Sequence, residues 1–209
     1  MCGRFSLVEA FADLQTHFHF IMRDDFHYTP SQNITPSQDV MAIVEVNELR
    51  YPVSFKWGLI PSFAQDAKIG YKTFNARAET VHQKPSFRNA FQSKRCIIPA
   101  TAFYEWHKKT PKIKQPYRIH PAEHSVFAFA GLWESWRNGD NLIRSCTIIT
   151  TTPNDKMSAV HDRMPVILQP DDYTAWLSAR SSKEALQALL TPLPSSQLQM
   201  EPVSPTFFT

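Results

Sequence analysis

The sequence predicts an α+β fold, a strongly curved and mostly antiparallel β-sheet or barrel with peripheral helices. Two observations predict it. Short β-type runs recur through most of the chain, and only two segments carry helical periodicity with a start signal, one towards each end. No internal repeat, low-complexity tract or linker interrupts the 209 residues, which read as a single domain spanning 1–209. An apolar content of 43% is ordinary for a globular protein, and a chain of this length buries most of its apolar surface on folding.

Taken in order, Ser6 followed by Glu9 reads as a capping box, in which each side chain satisfies an orphan N–H of a first helical turn. Leu7, Phe11, Leu14 and Phe18 then fall on one face at helical spacing. A folded element so close to Cys2 would fix the amino-terminal tetrapeptide. A proline-rich loop is expected from Tyr28 to Pro36, ending in Asn33-Ile34-Thr35-Pro36. Val40 to Val46 is a β-type run, and Tyr51 to Ile60 continues that character into Trp57-Gly58-Leu59-Ile60-Pro61. Further strands are expected at Cys96 to Ile98, Ala102 to Trp106, Pro116 to Ile119, Val126 to Trp133, Ile143 to Thr150 and Met164 to Leu168. Asn138-Gly139 between two of these runs signals a hairpin. Ser181 with Glu184 is expected to cap a second helix through Leu190, stopped by Pro192.

Composition excludes some function classes. The formal charge of +3 permits a nucleic-acid partner without arguing for one, because phosphate affinity follows from clustered Lys and Arg. Cys2, Cys96 and Cys146 form no CxxC pair and are odd in number, which suits neither a zinc knuckle nor a disulfide framework. No metal or organic cofactor is expected. The amino terminus lacks the long apolar stretch of a signal peptide and meets Glu9 early, and no run of about 18 apolar residues suggests a membrane span. The expectation is a cytoplasmic monomer, with no membrane partner.

Cys2 carries the chemistry. Methionine aminopeptidases remove Met1 when the second residue is small, and the product bears an α-amine and a thiol on one residue. An α-amine titrates at about 7.7–8.0, so an appreciable fraction is neutral near pH 7 and can attack an aldehyde. The thiol can then close a five-membered thiazolidine on the imine, which no internal cysteine can do. The plain alternative is that position 2 holds a tolerated small residue.

Six motifs follow one another: Cys2-Gly3-Arg4-Phe5, Trp57-Gly58-Leu59-Ile60-Pro61, Phe74-Asn75-Ala76-Arg77-Ala78-Glu79-Thr80, Arg95-Cys96-Ile97-Ile98-Pro99, Phe103-Tyr104-Glu105-Trp106 and His161-Asp162-Arg163-Met164-Pro165. The series resembles the SOS-response-associated peptidase (SRAP) family of abasic-site processing proteins. The resemblance implies covalent capture of abasic sites in single-stranded DNA. Cys2 would attack the ring-opened sugar aldehyde, Glu105 would assist ring opening and proton transfer, His161 would move protons near the reacting carbon, and Asn75 would hold the opened sugar or the amine. It also implies phosphate contacts from Arg4 and Arg77, with Arg163 on the same electropositive surface and Asn33 and Pro36 as further DNA-contacting candidates. Lys84, Arg88, Lys94 and Arg95 add positive charge nearby, while the basic run His107 to Lys114 reads as a solvated hairpin tip.

Strand alternation puts Phe103 and Glu105 on one face and Tyr104 and Trp106 on the other. A carboxylate in so apolar a strand suits a raised pKa and acid/base work, although a solvated strand glutamate explains the residue equally well. A lone histidine is more often structural, and Asn75 could be a turn residue. Two departures from the family pattern stand out. Phe63 occupies a position where many members carry tryptophan as a wedge against the base stack. The chain also ends soon after Pro202-Val203-Ser204, where members often continue into an asparagine-containing tail.

Two other classes compete. An amino-terminal-nucleophile hydrolase of the glutamine amidotransferase kind also begins Met-Cys-Gly. It would carry an Arg-Gly-Pro-Asp motif absent here, and Asn138-Gly139-Asp140 reads better as a turn than as its counterpart. A non-covalent binder of modified or unpaired DNA would need Arg4 and Arg77 but not Cys2, Glu105 or His161. The family description adds a third possibility, that the chain removes its own Met1.

Overall fold

The structure is a computed structural model that describes residues 2–108, 110 and 114–208. Along the chain run β1 (Phe5–Leu7), α1 (Phe11–Phe18), β2 (Ser31–Ile34), β3 (Asp39–Val46), β4 (Leu49–Trp57), β5 (Asn75–Arg77), α2 (Arg88–Ser93), β6 (Arg95–Ala100) and β7 (Ala102–Lys108). There follow β8 (Lys114–Pro121), β9 (Phe127–Asn138), β10 (Asn141–Thr151), α3 (Asp155–Ser158), β11 (Met164–Pro165), β12 (Ile167–Leu168), α4 (Tyr173–Leu177), α5 (Lys183–Ala188) and β13 (Leu198–Pro202). Strands β10, β4, β3, β6 and β9 pair in that order, and β9 pairs back onto β10, so the sheet closes on itself. A second, antiparallel sheet runs β13-β8-β7-β1-β2. The expected curved sheet with small peripheral helices is what the chain forms. Its parallel pairings are β10 with β4 and β10 with β5.

Strands β3 and β6 and the adjoining parts of β9 and β10 are buried on both sides, which explains their nearly unbroken apolar runs. Val40, Ala42 and Val44 of β3, Cys96 and Ile98 of β6, Phe127 and Phe129 of β9, and Cys146 and Ile148 of β10 share one core with Phe5 and Phe103 of the second sheet. The alternate residues Met41, Ile43, Ile97, Ala128, Ala130 and Ile149 face a second core under the helices, with Leu14, Phe18, Phe91, Trp176 and Leu186. A period of two thus feeds two cores at once. Phe5 meets Trp57 and Phe129 edge-on at ring-centroid distances of 5.2 and 5.6 Å, which ties the second sheet to the barrel.

Local signals shift in instructive ways. Ser6 does not cap a helix: it lies in β1, and its hydroxyl meets Thr101 Oγ1 at 3.1 Å. Helix α1 starts later, behind Ala10, without a side-chain cap. Leu7 is therefore a strand residue buried beside Leu14 and Phe18, and sheet pairing has overridden the capping pattern. The loop expected from Tyr28 to Pro36 contains β2, paired to β1. Strand β4 stops at Trp57 because Gly58 turns to φ +136°, where an added Cβ would lie 2.6 Å from the Gly70 carbonyl oxygen. The hairpin at Asn138-Gly139 forms, with Asn138 opposite Asn141 and Gly139 at φ +58°. Ser182, not Ser181, caps α5 by accepting a bond from the Ala185 N–H at 3.1 Å, and that helix ends at Ala188. Strands β7 and β8 pair as far as Lys108 with Lys114. Part of the basic hairpin tip expected there, at 109 and 111–113, lies outside the described residues.

Candidate active site

Met1 lies outside the described residues, and Cys2 is the first of those described. The Cys2 side chain is fully buried in the core that holds Phe5, Trp57, Ile148, Met157 and Met164. What holds the amino terminus is β1, which pairs with β7 through Phe5–Phe103 and Ser6–Ala102 while the Tyr104 N–H donates to the Arg4 carbonyl at 2.9 Å. Burial pushes the Cys2 thiol well above its usual pKa, and the negative charge of Glu105 pushes it further. The thiol is therefore kept protonated.

Glu105 lies on β7, 6% exposed, and its strand neighbours alternate as expected. Phe103 joins the Cys2 core, whereas Tyr104 and Trp106 meet aromatic rings from the carboxy terminus. Burial raises the Glu105 pKa to about 7, and the charge of Asp162 acts in the same direction. A carboxyl poised there can give or take a proton at neutral pH.

His161 follows α3, a single turn capped by Asn154, whose side-chain oxygen accepts the Met157 N–H at 2.9 Å. The His161 N–H donates to the Met157 carbonyl at 2.8 Å, so the ring is carried on a fixed turn. Burial lowers the pKa of this histidine. Its Nδ1 lies 3.0 Å from the Arg163 backbone nitrogen, which donates to it when the ring is neutral. Asp162 Oδ1 also lies 2.9 Å from Nδ1. Cys2, Glu105 and His161 are thereby linked through Glu105 and Asp162 into one electrostatic neighbourhood.

Asn75 sits on β5 opposite Ile148 of β10, and its Nδ2 donates to the Phe74 carbonyl at 3.1 Å. Its Oδ1 is buried and, among the described residues, accepts no hydrogen bond. Asn75 is thus no turn residue. Alternation puts Arg77 on the same side of β5, where it is exposed, while Ala76 between them enters the core under the helices.

The basic residues divide sharply. Arg77, Lys84 and Arg88 are exposed, and Arg4 is half-buried against Trp106. Arg163, expected on the electropositive surface, is instead taken up by Glu79 in a two-point pair at 2.7 and 2.9 Å and by the Thr150 carbonyl at 2.6 Å. Its charge is neutralised where it stands. Lys94 pairs with Glu134. Arg95 is a larger correction: it is 5% exposed, and its guanidinium donates to the carbonyls of Trp176, Phe91, Gln92 and Ser178. It joins β6 to α2 and to the end of α4 and cannot reach DNA. Arg95→Met leaves four carbonyls without this donor, and we expect a loss of about 3–5 kcal/mol, roughly 10 °C in Tm, by calorimetry. The salt dependence of any DNA binding should stay unchanged.

Phe63 is 62% exposed on the loop after Trp57-Gly58-Leu59-Ile60-Pro61. Tyr71, which sequence reasoning passed over, is exposed to 67% on the neighbouring 3-10 turn at Ala67–Lys72. Asn33 is exposed on β2, and Pro36 follows it half-buried. Among the described residues no group of three His, Cys, Asp or Glu could hold a metal ion. No described helix is long and apolar enough to cross a membrane.

The family model for SOS response associated peptidase (SRAP) matches residues 1–208. The chain belongs to the SRAP family. A SRAP relative from Bacillus subtilis (strain 168), named abasic site processing protein YoqW, is 45% identical over 209 residues, covering 98% of this chain and 92% of the relative. A second from that organism, abasic site processing protein YoaM, is 46% identical over 210 residues, covering 98% and 91%. Abasic site processing protein HMCES of Xenopus tropicalis is 31% identical over 215 residues, 87% of this chain and 63% of that longer protein. The crystal structure of a protein from Bacteroides thetaiotaomicron superimposes with a TM-score of 0.90 at 26% identity, covering 99% of this chain and 94% of the other.

Proposed function

We propose that this SRAP protein processes abasic sites in single-stranded DNA by trapping them as a thiazolidine on Cys2, once Met1 has been removed. The observation that carries the reading is the second residue of the chain: a thiol buried in the core, close enough to a carboxyl of raised pKa to feel its charge. The names of the B. subtilis relatives support the substrate class.

The chemistry follows from those groups in order. A protonated Glu105 assists opening of the hemiacetal sugar to its aldehyde. The neutral α-amine of Cys2 attacks the aldehyde carbon, and the resulting carbinolamine loses one water to give the imine. The thiol then adds across C=N, sulfur to carbon and its proton to nitrogen. Because burial holds the thiol protonated, the amine acts first and the sulfur second. Asn75 Oδ1 is suited to accept an amine N–H, and a neutral His161 can pass protons during water loss. Arg4, Arg77, Lys84 and Arg88 seat the strand, and no step calls on a metal or organic cofactor. The same Cys2, Glu105 and His161 could also release Met1, as the family description suggests. Full retention of Met1 in Glu105→Gln expressed without aminopeptidase would support that activity.

Two oligonucleotides test the reading on denaturing gels. One carries an abasic site and the other its tetrahydrofuran analogue, which has no aldehyde. Capture of the first alone is expected, and capture of neither rejects the reaction. Phe63, exposed beside the motif, supplies a stacking ring for an unpaired base. Phe63→Ala is expected to weaken single-strand binding by about 1–3 kcal/mol in an anisotropy titration.

A further inference from the structure

The turn that follows β13 packs on a residue of the DNA-binding reading. The Arg4 guanidinium lies over the Trp106 ring at 5.3 Å from its centroid and over the Phe208 ring at 4.4 Å. Phe208 belongs to a 3-10 turn, Pro205–Phe208, that follows β13. Strand β13 pairs with β8 along its length from Leu198 to Pro202. The Val203 N–H then donates to the Pro116 carbonyl at 3.0 Å, and Gln115 Nε2 donates to the Val203 carbonyl at 2.8 Å. From that anchor the turn crosses onto β7, where Phe208 meets Tyr104 edge-on at 4.8 Å and Trp106 at 5.6 Å. The tail is thus fixed by sheet pairing and ring packing that involve no DNA.

We propose that this turn completes a phosphate-binding subsite, with Trp106 and Phe208, whose ring centroids lie 5.6 Å apart, backing the Arg4 guanidinium from one side so that its N–H donors meet the backbone of a single DNA strand. The inference rests on the DNA-binding reading above and adds Phe208 and Trp106 to it as positioning residues. A guanidinium is planar, with five donors around its edge, so aromatic rings can back it without consuming a donor. Arg163 and Arg95 spend their donors on Glu79 and on carbonyl oxygens. Among the described residues, no carboxylate or carbonyl takes those of Arg4. A cation already oriented loses little side-chain freedom when a phosphate arrives.

The test is equilibrium binding of the full-length protein to an undamaged fluorescent single-stranded oligonucleotide, titrated at several salt concentrations. Wild type is compared with Phe208→Ala, Phe208→Leu, Arg4→Ala and the Arg4→Ala/Phe208→Ala double variant. Arg4→Ala is expected to reduce the slope of log K against log salt by about 0.7, one phosphate contact. Phe208→Ala is expected to weaken binding about threefold to fivefold in the wild-type background and not at all beside Arg4→Ala. Phe208→Leu keeps apolar packing without a π face and should show the same loss at a near-wild-type Tm. An equal loss from Phe208→Ala in both backgrounds, wild-type affinity in Phe208→Leu, or tighter binding on removal of Phe208 would overturn the clamp. Affinity for the undamaged strand is read separately from capture of an abasic strand. Wild type that binds but never captures rejects the proposed reaction while leaving the clamp to be judged by the affinities, whereas wild type that binds no single strand overturns the clamp.

Discussion

Cys2→Ser is expected to form no adduct that survives denaturation, although its amino terminus still condenses with an abasic aldehyde. Serine keeps the α-amine, so imine formation proceeds, but its hydroxyl can close only an oxazolidine, which reopens and hydrolyses. The yield of stable adduct should therefore fall by roughly a hundredfold or more. Borohydride separates the two states: reduction turns the serine variant's imine into a permanent amine link, whereas the wild-type adduct needs no reduction. Because the Cys2 side chain is fully buried, a hydroxyl there also costs about 1–3 kcal/mol if it finds no partner. A Tm measured alongside distinguishes lost folding from lost chemistry. Cys2→Ala, which buries no polar atom, should behave like serine in the borohydride experiment. Stable capture by either variant without reduction would show that the sulfur is dispensable.

Glu105→Gln is expected to slow capture by about 10²–10⁴-fold while making the protein more stable at alkaline pH. Both effects come from one buried carboxyl whose pKa is raised from 4.5 to about 7. A group raised in the folded state contributes stability that is fully present below its unfolded pKa and lost as pH rises through the folded value. Wild type should thus lose about 3 kcal/mol between pH 4 and pH 8 at this residue. Glutamine never ionises, so at pH 8 the variant should melt on the order of 5–10 °C higher. The rate profile carries the same signature. The wild-type initial rate should rise as the α-amine loses its proton and fall as Glu105 ionises near pH 7. Glu105→Gln should lack the alkaline fall and reach a low plateau. An unchanged profile, or a variant less stable than wild type at pH 8, would place the acid/base group elsewhere.

The fold class was legible because β3, β6 and much of β9 and β10 are buried on both faces and stand out as apolar runs, while β4 shows the alternation of a strand with one outer face. Short elements were not. Strand β1 is only three residues long, and its partner β2 hides in a proline-rich stretch. Both form because β1 pairs with β7 on its other side, a contact far away in sequence. Ser6 and Glu9 carried a helix-start pattern that this pairing overrode. At the proposed site, Cys2, Glu105 and His161 stand in motifs visible in the sequence, and the structure adds the burial that raises both the Glu105 carboxyl and the Cys2 thiol above their usual pKa values. The arginines were the least legible. A guanidinium reads as surface charge in a sequence, whether it meets water, as Arg77 does, or four carbonyls, as Arg95 does. Contacts between β7 and a tail about a hundred residues later leave no local signal, so Phe208 could not have been paired with Arg4.

Intact mass spectrometry of the wild-type protein after incubation with an abasic oligonucleotide addresses the central claim most directly. The account predicts one new species, equal to the chain without Met1 plus the oligonucleotide minus a single water, formed without any reductant. A covalent species that still carries Met1, or one that appears only after borohydride, would contradict it.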